Sequence, residues 1–426
     1  MGSDTPKHLH DLLGRRLIDW VLGAVAVLDA DPVVLVTSPV AEPLLESTLP
    51  PGVLTVVQPE PRGTADALLR ARPLLEGASS VIVVPGDTPL LPGALISEFA
   101  SAHDAGAAAS VLSFELAEPA GYGRVVRGSD GRVERIVEAR DATPEELELT
   151  EVNSSIYLFA TPGLWGALET VGTDNVQGEL YLTDVVARLV QADAHVQAHC
   201  AHDAAALAGV NTRAELAEAI AALRDRILAA HMDGGVTIVD PTTTWVDANV
   251  SIEADAVIQP FTVLRGVTSV GSGAQVGPHV VAIDASIGRD ALVGPFAYLR
   301  PGAQLGEASK VGTFVEVKES KIGRGTKVPH LSYIGDAEIG EGSNIGAGAI
   351  TANYRAELGG SKEKTRIGDN VHTGSHNVFV APIEIGDGAY VGAGSTLTKD
   401  VPPGALAVAR SRQVVKEGYR GGRARE

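Results

Sequence analysis

Residues 287–317 read IGRDALVGPFAYLRPGAQLGEASKVGTFVEV, with an aliphatic residue at every sixth position. The same interval recurs, with interruptions, between Val246 and Thr398. A helix repeats every 3.6 residues and a half-buried strand every two, so neither produces this pattern. A hexapeptide β-helix does, because six residues form one flat side of a triangular coil and the aliphatic side chain points inward. The pattern therefore predicts that this half of the chain is a parallel β-helix.

The composition argues against several classes of protein. The chain has 426 residues, enough for two domains, and 45% of them are hydrophobic although only 4% are aromatic. A net charge of −19 argues against a nucleic-acid-binding protein, which would carry a basic face. Cys200 is the single cysteine, so no internal disulfide is possible and we expect a reducing, cytoplasmic location. We find no apolar run of the length of a membrane span and expect no signal peptide.

The first half of the chain alternates short apolar runs with helical patterns, which is typical of an α/β domain with a mostly parallel sheet. We expect a helix at about Leu12–Leu28 and buried strands at Val33–Val36, Val53–Gln58 and Val81–Pro85. Ligands of such sheets bind beyond the carboxyl ends of the strands. Asp87 follows the third strand, where its carboxylate could hold Mg²⁺ together with substrate phosphates. An ordinary Gly-Asp turn would give the same local sequence.

A helix is expected to join the two halves. Its apolar stripe ends at Gly234-Gly235, and glycine is frequent just beyond a helix C-terminus. The expected organisation is an α/β domain at residues 1–210, a helical linker at 211–235 and a β-helix at 236–426.

Short motifs follow one another in a fixed order through the first half. They are Gln58-Pro-Glu-Pro-Arg-Gly63-Thr64, Gly86-Asp87, Gly121-Tyr-Gly123-Arg124, Ile136-Val137-Glu138, Glu151-Val-Asn153, the segment 177–184 and Gly209-Val-Asn211. Followed by hexapeptide repeats, this series resembles the bacterial bifunctional N-acetylglucosamine-1-phosphate uridyltransferase/glucosamine-1-phosphate N-acetyltransferase family over nearly the whole chain. The resemblance implies a Rossmann-like α/β nucleotidyltransferase domain, a left-handed parallel β-helix acetyltransferase domain and a role in UDP-N-acetylglucosamine biosynthesis.

For the α/β domain, the resemblance implies UTP and N-acetylglucosamine 1-phosphate as substrates and Mg²⁺ as cofactor. Asp87 and Asn211 match the family's magnesium ligands. The residues that match contacts to UTP or UDP-N-acetylglucosamine are Lys7 at the phosphates, Gln58, Gly63 and Thr64 at the uracil, Gly123, Glu138 and Asn153 at the sugar, and again Asn211. Nucleotidyl transfer depends on charge neutralisation and in-line positioning more than on a nucleophilic side chain, so these residue types suit the reaction.

The beginning of the sequence departs from the family. The family opens with a strand and a Gly-rich phosphate loop before the segment matched here by Pro6-Lys7-His8, and this sequence begins almost at that segment. Backbone N–H groups of such a loop bind nucleotide phosphates. Two interpretations stay open, a start that lies upstream and a loss of the uridyltransferase activity. Under both, we expect the strands next to the missing one to have unpaired edges.

The hexapeptide repeats contain the better-preserved site. His330 matches the family's general base, which takes a proton from the amine of glucosamine 1-phosphate as the amine attacks acetyl-CoA. An imidazole that titrates near neutral pH suits this step. Asp336 could orient His330. The residues that match contacts to the sugar phosphate are Arg300, Lys318, Tyr333 and Asn344.

The family's acetyl-CoA positions are matched by Ala347, Asn353, Tyr354, Ser375, Ala393 and Arg410. The loop Arg355–Lys362 is longer than in the family, and Lys362 could take the place of a lysine that the family has there. Family members form trimers with acetyltransferase sites between neighbouring β-helices, so the resemblance implies a homotrimer. We expect the basic tail Arg420–Arg425 to be a disordered end.

Two other functions are compatible with the sequence. One is a sugar nucleotidyltransferase whose β-helix is purely structural, and the other is a non-catalytic trimeric scaffold. His330 together with Arg300 and Lys318 favours an acetyltransferase over the first alternative, and binding of acetyl-CoA would argue against the second.

Overall fold

The computed structural model describes residues 2, 5–45, 48–356 and 359–419. Residues 3 and 4, residues 357 and 358 of the long loop, and the tail Arg420–Arg425 lie outside this part. The chain divides into two compact units, Met1–Ala222 and Leu223–Glu426. In the described part, no helix combines the length and the apolar character needed to cross a bilayer. The finer division at residues 210 and 235 remains a prediction.

The first unit contains ten strands and seven helices among the residues described, and an eighth helix leads out of it. The strands are β1 Asp11–Leu12, β2 Arg15–Arg16, β3 Val33–Thr37, β4 Val53–Val57, β5 Ser80–Val83, β6 Ala109–Glu115, β7 Arg124–Arg127, β8 Val133–Val137, β9 Glu151–Ala160 and β10 Val196–Ala201. The helices are α1 Leu17–Val25, α2 Glu42–Leu45, α3 Thr64–Ala71, α4 Gly93–Ser101, α5 Pro144–Leu147, α6 Thr161–Glu169, α7 Leu182–Gln191 and α8 Arg213–Asp233. Single 3₁₀ turns lie at Lys7–Leu9, Ala26–Leu28, Arg72–Leu74 and Ala204–Leu207.

The first helix is shorter than expected. A hairpin of β1 and β2 occupies residues 11–16, and α1 begins only at Leu17. Gly14 lies in the turn of this hairpin at a φ of +78°, a conformation that glycine adopts without strain. The prediction that the helix begins at Leu12 is therefore wrong. The error arises because a hairpin and a helix both bury aliphatic side chains, and the sequence pattern does not distinguish them.

The strands of the first unit form two separate main sheets. Strands β3 and β4 pair in parallel with each other alone, and the larger sheet has the order β10-β6-β9-β7-β8 with β5 beside β9. Among the described residues, β3 makes no strand pairing with the larger sheet. The expectation of a mostly parallel sheet is wrong for the larger one, since β9 runs antiparallel to β5, β6 and β7. Short connections, such as that from β7 to β8, cannot make the crossover that parallel pairing requires.

The six-stranded sheet is buried on both faces. Side chains of β9 alternate, so that Tyr157 and Phe159 join one apolar cluster while Ile156 and Leu158 join another. Helix α7 covers the first cluster and α4 covers the second. This packing fixes the strand ends from which the candidate site residues project.

The second unit is a left-handed parallel β-helix with three faces. The first face consists of Thr237–Ile238, Val257–Ile258, Gln275–Val276, Leu292–Val293, Lys310–Thr313, Lys327–His330 and, beyond a bridge at Asn344, His372–Thr373, Tyr390–Val391 and Leu406–Ala407. The second face consists of Trp245–Val246, Val263–Arg265, Val281–Ile283, Tyr298–Leu299, Glu316–Lys318, Tyr333–Gly335, Ile350–Ala352, Val378–Val380 and Thr396–Leu397. The third face consists of Ser251–Ile252, Ser269–Val270, Ser286–Ile287, Gln304–Leu305, Lys321–Ile322, Ala337–Ile339, Thr365–Ile367 and Ile383–Ile385.

The six-residue period produces one continuous core. On the second face Leu264, Leu299, Val317 and Ile334 are each fully buried and belong to the same cluster. Burial of such a side chain contributes about 1.5–3 kcal/mol, and in a coil only the neighbouring coils provide it. A hairpin of Tyr354–Arg355 and Ser361–Lys362 interrupts the coils between Ile350–Ala352 and Thr365–Ile367.

Helix α8 lies where the linker helix was expected, and it ends at the expected place. Its last turn is closed by hydrogen bonds from the N–H of Gly235 to the carbonyl of Met232 and from the N–H of Val236 to the carbonyl of His231. Gly235 has a φ of +91°, as expected just beyond a helix C-terminus.

Candidate active sites

Three of the predicted nucleotide and metal residues meet at one point of the first unit. The ammonium of Lys7 donates to the carboxylate of Asp87 and, over 2.5 Å, to Oδ1 of Asn211. These residues are 80 and 204 positions apart in the sequence. The N–H of Val210 donates to the carbonyl of Asp87 over 2.9 Å, which fixes the segment that carries Asn211.

The oxygen atoms at this point fit a small cation. One carboxylate and one amide oxygen converge on a single ammonium, and oxygen atoms are the ligands that Mg²⁺ prefers. Groups of three or more His, Cys, Asp or Glu side chains that could hold a metal are absent among the described residues. Substrate phosphates and water would therefore have to complete the coordination of a metal held by Asp87 and Asn211.

The predicted uracil residues lie together where β4 ends and α3 begins. Nε2 of Gln58 donates to the carbonyl of Gly63 over 3.0 Å, and Oγ1 of Thr64 accepts from the N–H of Leu182 over 3.0 Å. Gly63 has a φ of +109°, and a Cβ there would lie 2.8 Å from the backbone nitrogen of Leu180. No other residue can therefore replace Gly63 without moving the backbone.

The predicted sugar residues also lie close to one another. The N–H of Asn153 donates to the carbonyl of Gly123 over 2.9 Å, and a Cβ on Gly123 would lie 3.5 Å from Oε2 of Glu138. Nδ2 of Asn153 donates to the hydroxyl of Tyr157 over 2.6 Å. Burial raises the pKa of the Glu138 carboxyl, and a hydrogen bond of 3.2 Å from Thr183 partly opposes this.

Candidate residues of the β-helix stack on its second face. Strand Tyr298–Leu299 pairs with Glu316–Val317 of the next coil, so Arg300, which follows the first strand, lies beside Lys318. Lys318 in turn pairs with Gly335 one coil further on. The guanidinium of Arg300 donates to Glu316 over 2.9 Å. Arg300 and Lys318 are therefore neighbours along the stack, in a position to bind one anionic group.

A hydrogen-bonded cluster joins residues predicted for two different substrates. The carboxylate of Asp336 accepts from Nζ of Lys318 over 3.3 Å and from Nδ2 of Asn353. Nδ2 of Asn353 also lies 3.4 Å from the hydroxyl of Tyr333. Within the described chain, the Asp336 carboxylate accepts hydrogen bonds from Lys318 and Asn353. It makes no hydrogen bond with His330 there.

Lys362 lies next to Lys318. The strand pairing places Lys362 opposite Tyr354, and the adjacent Lys318 ammonium lowers the pKa of Lys362. The longer loop therefore still delivers its lysine to the site, although residues 357 and 358 lie outside the described part.

His330 begins a column of candidate residues that runs along one corner of the β-helix. It ends a first-face strand and is exposed, and its carbonyl accepts from the N–H of Gly348. The residue before Gly348 is Ala347, whose carbonyl accepts from His376 over 2.7 Å. The N–H of Gly394, the residue after Ala393, donates to the carbonyl of Ser375 over 2.8 Å, and the guanidinium of Arg410 donates to the carbonyl of Ala393 over 2.6 Å. One exposed histidine, three small residues and an arginine thus line a single edge.

Asn344 does not join the sugar-phosphate residues of its own chain. It lies on the first face, where it bridges Lys327 and His372 through the backbone. Among the residues described, no hydrogen bond connects its side chain with Arg300, Lys318 or Tyr333.

Comparison with known proteins identifies both parts of the chain. The family model for nucleotidyl transferase matches residues 2–248, and the model for bacterial transferase hexapeptide (six repeats) matches residues 364–399. The protein named "Bifunctional protein GlmU" of Streptomyces avermitilis is 47% identical, covering 98% of this chain and 91% of the relative. Proteins of the same name from Mycolicibacterium vanbaalenii and Thermobifida fusca are 46% and 45% identical, each over 98% of this chain and over 90% and 91% of the relative. The chain belongs to the GlmU family.

Membership of the GlmU family establishes the reactions. The chain is an enzyme of UDP-N-acetylglucosamine biosynthesis, a glucosamine-1-phosphate N-acetyltransferase and an N-acetylglucosamine-1-phosphate uridyltransferase. The nucleotidyl transferase match covers the first unit and extends to residue 248, and the hexapeptide match lies within the second unit.

Sequence reasoning missed several polar partners in this GlmU-family chain. Glu316 holds Arg300, Tyr157 holds Asn153, and Asp66 holds Gln58 over 2.9 Å. Glu316 could have been found, because it points outward two positions before Lys318 on the same strand. The partnership of Asn153 and Tyr157 depends on the irregular pairing of β6 with β9 near Ser113, and no sequence pattern signals it.

Proposed function

We propose that His330 is the general base of the acetyl transfer. The observation that carries this proposal is the column from His330 to Arg410, beside the cluster of Lys318, Tyr333 and Asn353. Neighbouring strands are about 4.8 Å apart, so the four coil steps of the column span about 19 Å. Acetyl-CoA lies extended along it, its thioester near His330 and its phosphates near Arg410, while Ala347, Ser375, Ala393, Asn353 and Tyr354 contact its length.

The reaction then follows from the chemistry of the amine. Glucosamine 1-phosphate arrives as an ammonium, which has no lone pair with which to attack a thioester. Neutral His330 removes one proton, the amine nitrogen forms a bond with the acetyl carbon, and the carbon–sulfur bond breaks as coenzyme A leaves. Arg300 and Lys318 bind the anomeric phosphate, Arg300 as a fork and Lys318 as a point charge.

For the uridyl transfer, we propose Asp87 and Asn211 as the residues that hold Mg²⁺. Bound there, the metal neutralises phosphate charge during the reaction. Lys7 moves from Asp87 and Asn211 onto the phosphates of UTP. Gln58, Gly63 and Thr64 hold the uracil, and Gly123, Glu138 and Asn153 hold the sugar. An oxygen of the sugar phosphate attacks the α-phosphate of UTP, and pyrophosphate leaves.

We further propose that the enzyme works as a homotrimer in the cytoplasm. Asn344 supports this assembly, since it is a sugar-phosphate candidate that lies on another face than Arg300, Lys318 and Tyr333. In a trimer it would complete the site of a neighbouring copy.

The substitution His330→Ala tests the proposed base. We expect kcat of acetyl transfer to fall about 10²–10⁴-fold, the usual contribution of a general base, with little change in KM. Pyrophosphate release from UTP and N-acetylglucosamine 1-phosphate should be unchanged. A matched control is His279→Asn, at another exposed corner of the β-helix with a φ of +54° that asparagine tolerates. Acetyl transfer at the original rate in His330→Ala would exclude His330 as the base.

A further inference from the structure

The amide group of Gln58 is held by two acceptors. Its Nε2 lies 3.0 Å from the carbonyl oxygen of Gly63 and 2.9 Å from Oδ2 of Asp66. Asp66 is almost fully buried, with 6% of its surface exposed. Its other carboxylate oxygen lies 3.3 Å from the guanidinium of Arg70.

These partners determine which end of the amide faces outward. A carboxylate and a carbonyl oxygen only accept hydrogen bonds, so the group facing them must be the NH₂ of Gln58. Both of its hydrogens are then in use. Oε1 is left as the free end of the side chain, and within the described residues no hydrogen bond to it is present. Rotation by 180° would place Oε1 against two acceptors and break both hydrogen bonds.

We propose that Asp66 determines the nucleobase specificity of the uridyltransferase by locking Gln58 as an acceptor. This inference rests on the proposed uracil site. Uracil presents its N3–H as a donor, which Oε1 of Gln58 accepts. Cytosine carries a lone pair at the same ring position, and two lone pairs then face each other. If Gln58 could rotate freely, its NH₂ would serve cytosine equally well, and the discrimination would be lost.

Asp66 acts through Gln58 and does not itself touch the nucleotide. It is therefore a positioning residue, and its effect must appear in the ratio of two nucleotide affinities instead of in overall activity. A site that leaves one polar group unpaired with the wrong ligand discriminates strongly against that ligand. Loss of one of the two acceptors should reduce the preference for UTP over CTP roughly 10-fold to 100-fold, as expected from a single hydrogen bond to a charged group.

The experiment measures binding of UTP and of CTP, each with Mg²⁺, by calorimetry on the full chain. Asp66→Ala removes the acceptor, and Asp66→Asn keeps the shape but replaces one of the two carboxylate oxygens with an NH₂ group that cannot accept, which weakens the hold on Gln58. We expect both variants to lose preference for UTP, Asp66→Ala more strongly. Arg70→Gln is the matched control, because it breaks the contact on the far side of Asp66 and should keep the preference of the unmodified protein.

Each outcome is decisive. A reduced UTP preference in the Asp66 variants but not in Arg70→Gln supports the lock. A preference unchanged in Asp66→Asn and in Asp66→Ala overturns the lock and leaves the uracil site intact. If the unmodified chain binds UTP and CTP equally well, the proposed uracil site itself is wrong, and the lock is wrong with it. Should Asp66→Ala fail to fold, Asp66→Leu takes its place, because leucine fills the same space and offers no acceptor.

Discussion

Substitution of Gly335 by alanine should displace Tyr333 without unfolding the β-helix. A Cβ on Gly335 would lie 2.6 Å from Cζ and 2.8 Å from Cε1 of the Tyr333 ring, where ordinary contacts begin at 3.4 Å. The hydroxyl oxygen of Tyr333 would lie closer still to this Cβ, so the ring must retreat by about 1 Å. The backbone of Gly335 is that of a strand and its φ is not positive, so alanine itself adds no backbone strain.

The size of the effect follows from what Tyr333 loses. Its hydroxyl lies 3.4 Å from Nδ2 of Asn353, and we propose that it contacts the sugar phosphate. Loss of one such hydrogen bond costs about 0.5–1.5 kcal/mol, which corresponds to a rise in KM for glucosamine 1-phosphate of about 2-fold to 12-fold. The free energy of unfolding should change by less than about 1 kcal/mol, since alanine also restricts the unfolded chain.

A double-mutant cycle provides the assay. KM for glucosamine 1-phosphate is measured in Gly335→Ala, in Tyr333→Ala and in the double variant. With Tyr333 truncated, nothing is left for the new Cβ to displace, so the double variant should equal Tyr333→Ala alone. A KM that rises by the same factor in both backgrounds would refute the reasoning, as would an unchanged KM in Gly335→Ala.

Two further predictions concern charges in the first unit. Lys7→Met removes the ammonium that competes with a metal for Asp87. Mn²⁺, used as a probe without nucleotide, should therefore bind about 10-fold more tightly, the equivalent of roughly 1.4 kcal/mol. Calorimetry measures this affinity, and equal or weaker binding contradicts the prediction. Glu138→Gln should raise Tm at pH 7.5, because burial raises the folded-state pKa of Glu138, and its ionised form therefore costs stability above that pKa. The gain should disappear as the pH falls below the ordinary glutamate pKa, where the carboxyl is protonated in both states; an equal gain in melting experiments at pH 7.5 and at pH 4 would contradict it.

The inward half of the β-helix could be predicted from the sequence. Val293, Leu299 and Leu305 keep a six-residue interval, and all three are buried. A buried position on a repeating coil admits few side chains, so the pattern is strong. Outward positions of the coils accept many kinds of side chain, so the period says little about them. The contact between Lys318 and Asp336 depends on how two neighbouring coils align, which the six-residue period does not specify.

The α/β part was less predictable, for a related reason. The short apolar runs at Val33 and Val53 do form parallel strands, but the direction of β9 depends on partners far away in the sequence. Motif matching nevertheless assigned Lys7 and Asp87 to phosphate and metal binding, and the two side chains are in contact. Residues that bind a phosphate and its metal ion must lie within reach of each other, which is why these motifs predict proximity. The roles of the individual site residues remain predictions.

The convergence of Lys7, Asp87 and Asn211 makes the proposed metal site depend on synthesis of nearly all of the first unit. Lys7 leaves the ribosome early and Asp87 follows 80 residues later, but Asn211 arrives 204 residues after Lys7. A nascent chain that ends before Asn211 has only part of the oxygen pair that would hold a cation. If Asp87 and Asn211 hold a cation as proposed, binding of a divalent metal during translation would therefore report that both residues have come together.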